Sequence, residues 1–493
     1  MGLIRLTIHD RDRIPPGGLG QVYMCGQDEL PWFGRAYMSG SQLIVERVES
    51  ESGNVFVPWR IDGRGVLLLG TATLMERERP YRLEIELARG TINRLRNQIA
   101  NWQTLGLVVP DDLRNEVLAA TRHFARAATT DDSASATEHA GRALVAAVDA
   151  MDHAASLYAE QAFEMRRSKS RQLTTWFGVH LGDQMPPVAI ARQLLPAFNM
   201  VSVPLSWRSI EASEGRRQWK QADAQIEWAK TAGMKIMGGP LLELDDRGVP
   251  DWTYLWEGDF DSLVGFMLDH VTSVVKRCRG KVNLWQVVSR MSHGRVLALT
   301  ENQRLQIAAQ AITKVRELDP STPLIASFDQ PWAEYLATER LDLAPLHFAD
   351  ALVRADLGLS GLGLEITVGY HPGATAHRTS LAYSRLIDTW GLLELPLLVT
   401  LTLPSSADAD PLANQKIQVL TSEANDVSPQ TQAAWIEQNM PLLLAKSPVQ
   451  VILWNQLSDA EPHHYPHSGL FDAQSQPKPA LEALRKIRQK LLM

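Results

Sequence analysis

Leu284-Trp285-Gln286-Val287-Val288-Ser289-Arg290 reads as a strand that carries no charge until its last residue. Seven further strand-like runs alternate with helix-like ones from Thr174 onward. They are Thr175 to His180, Met200 to Leu205, Lys235 to Leu242, Pro323 to Phe328, Gly361 to Val368, Leu395 to Leu403 and Val449 to Gln456, with the fourth strand extended to Val282 to Ser289. Eight strands in alternation with helices predict a closed (β/α)8 TIM barrel, an α/β fold. Barrel sites lie at the C-terminal ends of the strands, so those ends define one mouth.

The residues at that mouth are His180 and Asp183, Ser206 and Trp207, Glu243, Arg290, Asp329, Glu365, Thr402, and Asn455 through Asp459. Three carboxylates, Glu243, Asp329 and Glu365, come from the third, fifth and sixth strands. They either form a relocated acid pair, with Glu243 and Glu365 the best partners, or neutralise Arg290. A half-buried guanidinium without a carboxylate is costly, so the expectation is an ion pair between Arg290 and Glu365 or Glu243. Trp207, Trp285 and Trp454, with Trp252, Trp256 and Trp332 on loops, are either ligand-stacking faces or core. His463, His464 and His467 stand together in EPHHYPHSG, where Asp459 or Glu461 would complete a zinc set. A solvated lid is the simpler reading, also for His371 and His377, and neither a metal nor a cofactor is expected.

The order of short motifs resembles glycoside hydrolase family 10, the xylanases and their relatives. Phe198-Asn199, Trp207, Ala222-Asp223, Trp228-Ala229-Lys230, Gly233-Met234-Lys235 and Pro250-Asp251-Trp252 follow the family's FN…KW…aD…fAk.nGm.v…P-x-W run. Leu318-Asp319-Pro320, Ser327-Phe328-Asp329 and Gly361-Leu362-Gly363-Leu364 follow its later strands. Trp454, Asp459, Gly469-Leu470-Phe471-Asp472 and Pro477-Lys478-Pro479-Ala480 follow its close. Together these span roughly residues 172 to 490, each weak alone. The resemblance implies a glycosidase barrel and sugar contacts from Trp207, Glu243, Trp285, Arg290, Asp329, Glu365, Trp454 and Asp459.

It also marks what is missing. The family strand reads W-D-V-V-N-E, ending in the catalytic acid; here Arg290 holds that place. The nucleophile's I-T-E-L-D motif is matched by Val399-Thr400-Leu401-Thr402, which puts Leu401 at the carboxylate. The family's G-H-T-L-x-W becomes Gly239-Pro240-Leu241-Leu242-Glu243, Ser206 replaces a Lys, and Thr367 stands for a His. Retaining hydrolysis needs two carboxyl groups about 5 Å apart. A guanidinium is always protonated and accepts no proton. The resemblance therefore implies a carbohydrate-binding, non-hydrolytic relative, with an active hydrolase on relocated acids and a protein-interaction scaffold as alternatives.

The remaining chain is read from pattern. Leu3 to Ile8, Gln42 to Arg47, Asn54 to Arg60, Gly65 to Leu69 and Tyr81 to Leu87 suggest a small β-sandwich over 1–88, where Trp32, Tyr37 and Trp59 are a sugar platform or core. Thr91 to Trp102, Pro110 to Ala127 and Ser133 to Arg171 follow helical period, a connector over 89–171 leading into the barrel at 172–493. With 45% hydrophobic and 21% charged residues the composition is globular. A net charge of -7 speaks against nucleic acid as a partner, and the partner that the resemblance implies is an oligo- or polysaccharide. Two cysteines, Cys25 and Cys278, indicate no disulfide framework. The start MGLIRLTIHDRDRIPPGG lacks an apolar signal core and no segment is long and apolar enough for a membrane span, so the expected location is the cytoplasm.

Overall fold

The computed structural model describes residues 2–169, 173–292, 296–421 and 426–492. Strands β1 (Gly2–Thr7), β2 (Tyr23–Cys25), β3 (Gly34–Ser39), β4 (Gln42–Arg47), β5 (Asn54–Ile61), β6 (Gly65–Gly70) and β7 (Tyr81–Arg82) form two small sheets. One runs β3-β4-β1-β7 and the other β2-β5-β6. Helices α1 (Leu83–Thr104), α2 (Asp111–Thr129) and α3 (Ser133–Lys169) follow. The segment Tyr81 to Leu87 is mostly helix rather than strand. Its L-E-I-E-L alternation fits either period, but Leu83 through Ala88 are all buried, which a half-exposed strand cannot give. The Glu84 carboxylate accepts the backbone N–H of His9 at 2.7 Å and so ties α1 to the end of β1.

The Ala-rich helices pack on one another. Leu113, Ala120 and Ala127 of α2 recur every seventh residue, and Ala136, Ala140, Ala143, Ala147, Ala150 and Ala154 of α3 are all fully buried. Small side chains at this spacing let the helices lie close along their length. Both sheets and all three helices share a single apolar core, with Leu6, Val57, Trp59, Leu95, Trp102 and Leu144 inside it. Residues 170–172, where the expected last helix ends and the barrel begins, lie outside the described residues.

The barrel strands are β8 (Trp176–His180), β9 (Met200–Val203), β10 (Lys235–Gly238) with its short continuation β11 (Leu242–Glu243), β12 (Leu284–Ser289), β13 (Leu324–Asp329), β14 (Gly361–Thr367), β16 (Leu397–Thr402) and β18 (Val449–Trp454). A two-stranded ribbon of β15 (Tyr370–His371) and β17 (Gln418–Val419) stands on the loops. All barrel pairings are parallel, and β18 returns to β8, so the eight-stranded sheet closes. The third strand breaks at Gly239, which has φ 134°; a Cβ there would lie 2.2 Å from the Gln286 carbonyl oxygen, so only glycine allows β10 to pass β12 so closely.

Side chains alternate in and out around the barrel. Met200, Met237, Leu284, Ile325, Leu398, Val451 and Leu453 fill the interior. Their neighbours Trp285, Leu364, Val399, Leu401, Ile452 and Trp454 belong to the layer between strands and helices. Because the period of a strand is two, this assignment fixes which residues face the mouth.

Candidate functional site

At the C-terminal end of the barrel is a cleft of about 710 Å³. Arg290 lies across its floor. It directly follows β12 and has φ 57°, in the left-handed region, so the chain turns sharply where the strand ends. Its guanidinium meets three acids: Nε is 3.2 Å from Glu243 Oε1, Nη1 donates to Asp245 Oδ2 at 3.3 Å, and Nη2 is 3.0 Å from Glu365 Oε2. Nη2 also donates to the Tyr465 hydroxyl at 3.0 Å. A second guanidinium, Arg247, sits 2.6 Å from Glu243 and 3.1 Å from Asp245. Ser289 Oγ donates to the remaining oxygen of Glu365. Two guanidiniums and three carboxyl groups are thus interleaved.

The acids differ because their surroundings differ. Burial pushes the Glu243 carboxyl up to about 7, against the pull of Arg247 and Arg290. At Asp245 burial acts the same way, yet the two guanidiniums outweigh it and hold the carboxyl well below the usual range. Asp245 also accepts the backbone N–H groups of Arg247 and Gly248, both at 2.9 Å, and these favour its ionised form. Arg290 is desolvated, but Tyr465, Glu365, Asp245 and Glu243 more than compensate and keep it charged. Burial lowers His180, on the opposite wall, to about 4, and holds the His464 imidazole well below its usual range.

Of the residues expected at the site, Glu243, Arg290 and Glu365 are brought together. His180, Asp183, Ser206 and the run from Asn455 to Ser458 line the same cleft, whereas the remaining ones lie elsewhere. Leu401 is fully buried in the helix layer, and it is its neighbour Thr400 that lines the cleft. Trp285 and Trp454 also point into the helix layer, their indole N–H groups donating to Asp319 and to the Ser468 carbonyl, both at 3.0 Å. Trp207 is buried against Trp252 and His270. Asp329 ends β13 opposite Glu365 in register without lining the cleft. Asp459 is a buried lock, accepting from Lys478, from Gly469 N–H at 2.7 Å and from Gln456 at 2.8 Å.

No Trp or Phe lines the cleft among the described residues; Tyr465, mostly buried, is the aromatic there. In the N-terminal sheets Trp59 is core while Tyr37 is surface-exposed, so they form no common platform. The histidine loop is tied down rather than solvated. His463 pairs with Asp410 at 2.9 Å, Asp410 accepts the His467 N–H at 3.0 Å, and His464 stacks edge-on against Tyr465. No group of three side chains able to hold a metal converges among the described residues. His371 is exposed, whereas burial lowers His377 to about 4. Asp245, Arg247 and Tyr465 were not anticipated; the charged run Glu243 to Arg247, directly after a strand, was the available signal for the first two.

Fold and mouth together define a (β/α)8 barrel with a polar cleft at the C-terminal ends of its strands. Residues 183–306, which carry β9 to β12 and Arg290, match the model of glycosyl hydrolase family 10. The chain is similar to that family, as its motifs indicated. Endo-1,4-beta-xylanase 3 of Hypocrea jecorina is 28% identical over 124 residues, 24% of this chain and 35% of that protein. Endo-1,4-beta-xylanase 5-like of Arabidopsis thaliana is 25% identical over 203 residues, covering 40% and 34%. The chain thus spans about a third of the length of these relatives. The crystal structure of native xylanase 10B from Thermotoga maritima aligns over 66% of this chain and 98% of that one, at 17% identity and a TM-score of 0.49.

Proposed function

We propose that this chain is a non-hydrolytic relative of the family 10 glycosidases that holds an oligo- or polysaccharide in the barrel cleft without cleaving it. The observation that carries the reading is Arg290, which takes the place of the family's catalytic acid and occupies Glu243 and Glu365 at once. A carboxylate engaged by a guanidinium is neither a free proton donor nor a free nucleophile. Neither Leu401, at the family's nucleophile position by resemblance, nor Thr400 beside it in the cleft supplies a charge. The cleft keeps hydrogen-bonding groups suited to hydroxyl-rich ligands, including Ser206, Gln286, Asn414 and Asn455. Xylan and its oligomers are the first ligands to test, because the relatives are xylanases. Calorimetric titration with xylo-oligosaccharides is expected to show saturable binding that weakens on Asn455→Ala. No heat of binding with any xylo-oligosaccharide would remove xylan as the ligand.

One observation favours the alternative enzyme. With its carboxyl pushed up to about 7, Glu243 carries a proton for part of the time at neutral pH, and a general acid needs such a proton. In that reading Glu365 would attack and Arg290 would move aside when substrate enters. Glu243→Gln separates the two: it abolishes turnover if Glu243 is the acid, and on the reading preferred here there is no turnover to abolish.

A further inference from the structure

We propose that two loops at the barrel mouth are held together by a proton-dependent clasp of His463, His467 and Asp410, which tightens in acid and loosens as pH rises. One loop follows β16 and carries Asp408, Asp410 and Asn414; the other follows β18 and carries Glu461 through His467. Asn414, Glu461, His463, His464 and Tyr465 all line the cleft, so the clasp shapes one of its walls. That it thereby governs the entry of a sugar rests on the cleft being the sugar site. The backbones meet at the same place: the His463 N–H donates to the Leu412 carbonyl at 3.0 Å, and the Ser405 N–H donates to the His467 carbonyl at 3.1 Å.

Each imidazole meets acceptors at both ends. His463 Nε2 lies 2.9 Å from Asp410 Oδ2, and its Nδ1 lies 2.8 Å from the Glu461 carbonyl oxygen. His467 Nε2 lies 3.0 Å from the Asp408 carbonyl oxygen, and its Nδ1 lies 3.6 Å from the same Asp410 oxygen. A carbonyl and an ionised carboxylate have no hydrogen to give, so a neutral ring with its single N–H satisfies one end and turns a lone pair toward oxygen at the other. The imidazolium donates at both. At His463 the contact is enclosed, its side chain and that of Asp410 being 5% and 6% exposed, so water has little access to replace a lost bond. Asp410 remains the anion of the set. Burial pushes its carboxyl up, but the His467 backbone N–H, 3.0 Å away, and the two imidazoles outweigh burial and hold it below the ordinary range. Around the clasp, Lys478 donates to the His467 carbonyl at 3.1 Å and pairs with Asp459, Lys416 pairs with Asp246, and the side chains of Asp408 and Glu461 are exposed. Burial holds the neighbouring His464 well below its usual range and Tyr370 well above its own, so both stay neutral where an imidazole titrates. Glu243 on the cleft floor does titrate there, which makes the loops a cleaner reading than the cleft itself.

The test is amide hydrogen exchange of the full chain without sugar, corrected for the intrinsic pH dependence of exchange and read on peptides spanning 406–416 and 460–468. From about pH 5.5 to about pH 8.5 their protection is expected to fall about tenfold, the change produced by one proton that the closed loops favour tenfold over the open ones. Peptides from α2, far from the mouth, are expected to keep theirs. Asp410→Asn removes the charge that selects the imidazolium, and His463→Gln still donates to Asp410 but takes up no proton; each is expected to reduce the fall to about twofold or less. If one variant does not fold, the other decides. Wild-type loops equally protected at both pH values overturn the proposal, as does a full tenfold fall retained by a folded variant. Because no sugar is present, the exchange decides the clasp whether or not a xylo-oligosaccharide binds the cleft.

Discussion

At the scale of single residues the account rests on Arg290 and the acids it holds. Arg290→Met leaves Glu243, Asp245 and Glu365 with one guanidinium between them. Removing one partner from a buried ionic cluster typically costs about 3–5 kcal/mol, and chemical denaturation at neutral pH is expected to show a loss of that order. Acid should soften the loss, since protonated Glu243 no longer needs a partner. Glu243 itself gives the pH dependence a sign. Its folded-state value of about 7 lies above the ordinary carboxylate value, so it favours the folded state fully below the unfolded value. That contribution is lost as pH rises toward 7. Glu243→Gln should therefore flatten the stability profile between about pH 4.5 and 7, removing a decline on the order of 2–3 kcal/mol. A profile of unchanged shape would show that Glu243 is not the acid with the raised value. Asp245 acts in the opposite direction, contributing above its unfolded value and losing that contribution at strongly acidic pH.

At the scale of elements the strand register decides which substitutions reach the cleft. Thr400→Glu places a carboxylate at the mouth, where Arg290 and Arg247 are near, and should cost little stability. Leu401→Glu drives a charge into the helix layer beside Val399 and Leu364 and should cost several kcal/mol, read as a fall in the denaturation midpoint. The reverse ranking would mean that β16 is rotated by one residue. The eight strands were legible because parallel barrel strands are apolar runs separated by helical periods, and each expected run overlaps an observed strand. Which face each residue takes was not legible, because Leu397 to Leu401 contains only one polar residue and offers no alternation to read. For the same reason Trp285 and Trp454 looked like mouth residues although they point outward. The ion pair of Arg290 was legible from cost alone, since a half-buried guanidinium requires an acid. Asp245 and Arg247 were not, because their part in the cluster depends on how the loop after β11 folds back.

At the scale of the molecule the N-terminal sheets and helices are joined to the barrel rather than tethered to it. Their core takes in Leu381 and Leu442 from barrel helices. Leu68 N–H donates to the His377 carbonyl at 2.8 Å, and Arg378 donates to Tyr23 at 3.1 Å. From that junction the contacts run to the mouth: Tyr370 donates to the Pro466 carbonyl at 2.9 Å, its ring lies 5.2 Å from Tyr465, and Tyr465 receives Arg290. A barrel made of residues 173–492 alone would expose the apolar surface that α1 and α3 cover. It is expected to aggregate on size exclusion, and a stable monomer with the melting temperature of the full chain would contradict that expectation. The central proposal, a barrel similar to the family 10 glycosidases that does not hydrolyse glycosides, is tested most directly by measuring reducing-sugar release from xylan and aglycone release from an aryl xyloside by the pure protein. The prediction is no turnover above the uncatalysed background across pH 4 to 9, for wild type and for Glu243→Gln alike; turnover by the wild type that disappears on Glu243→Gln or Glu365→Gln would contradict it.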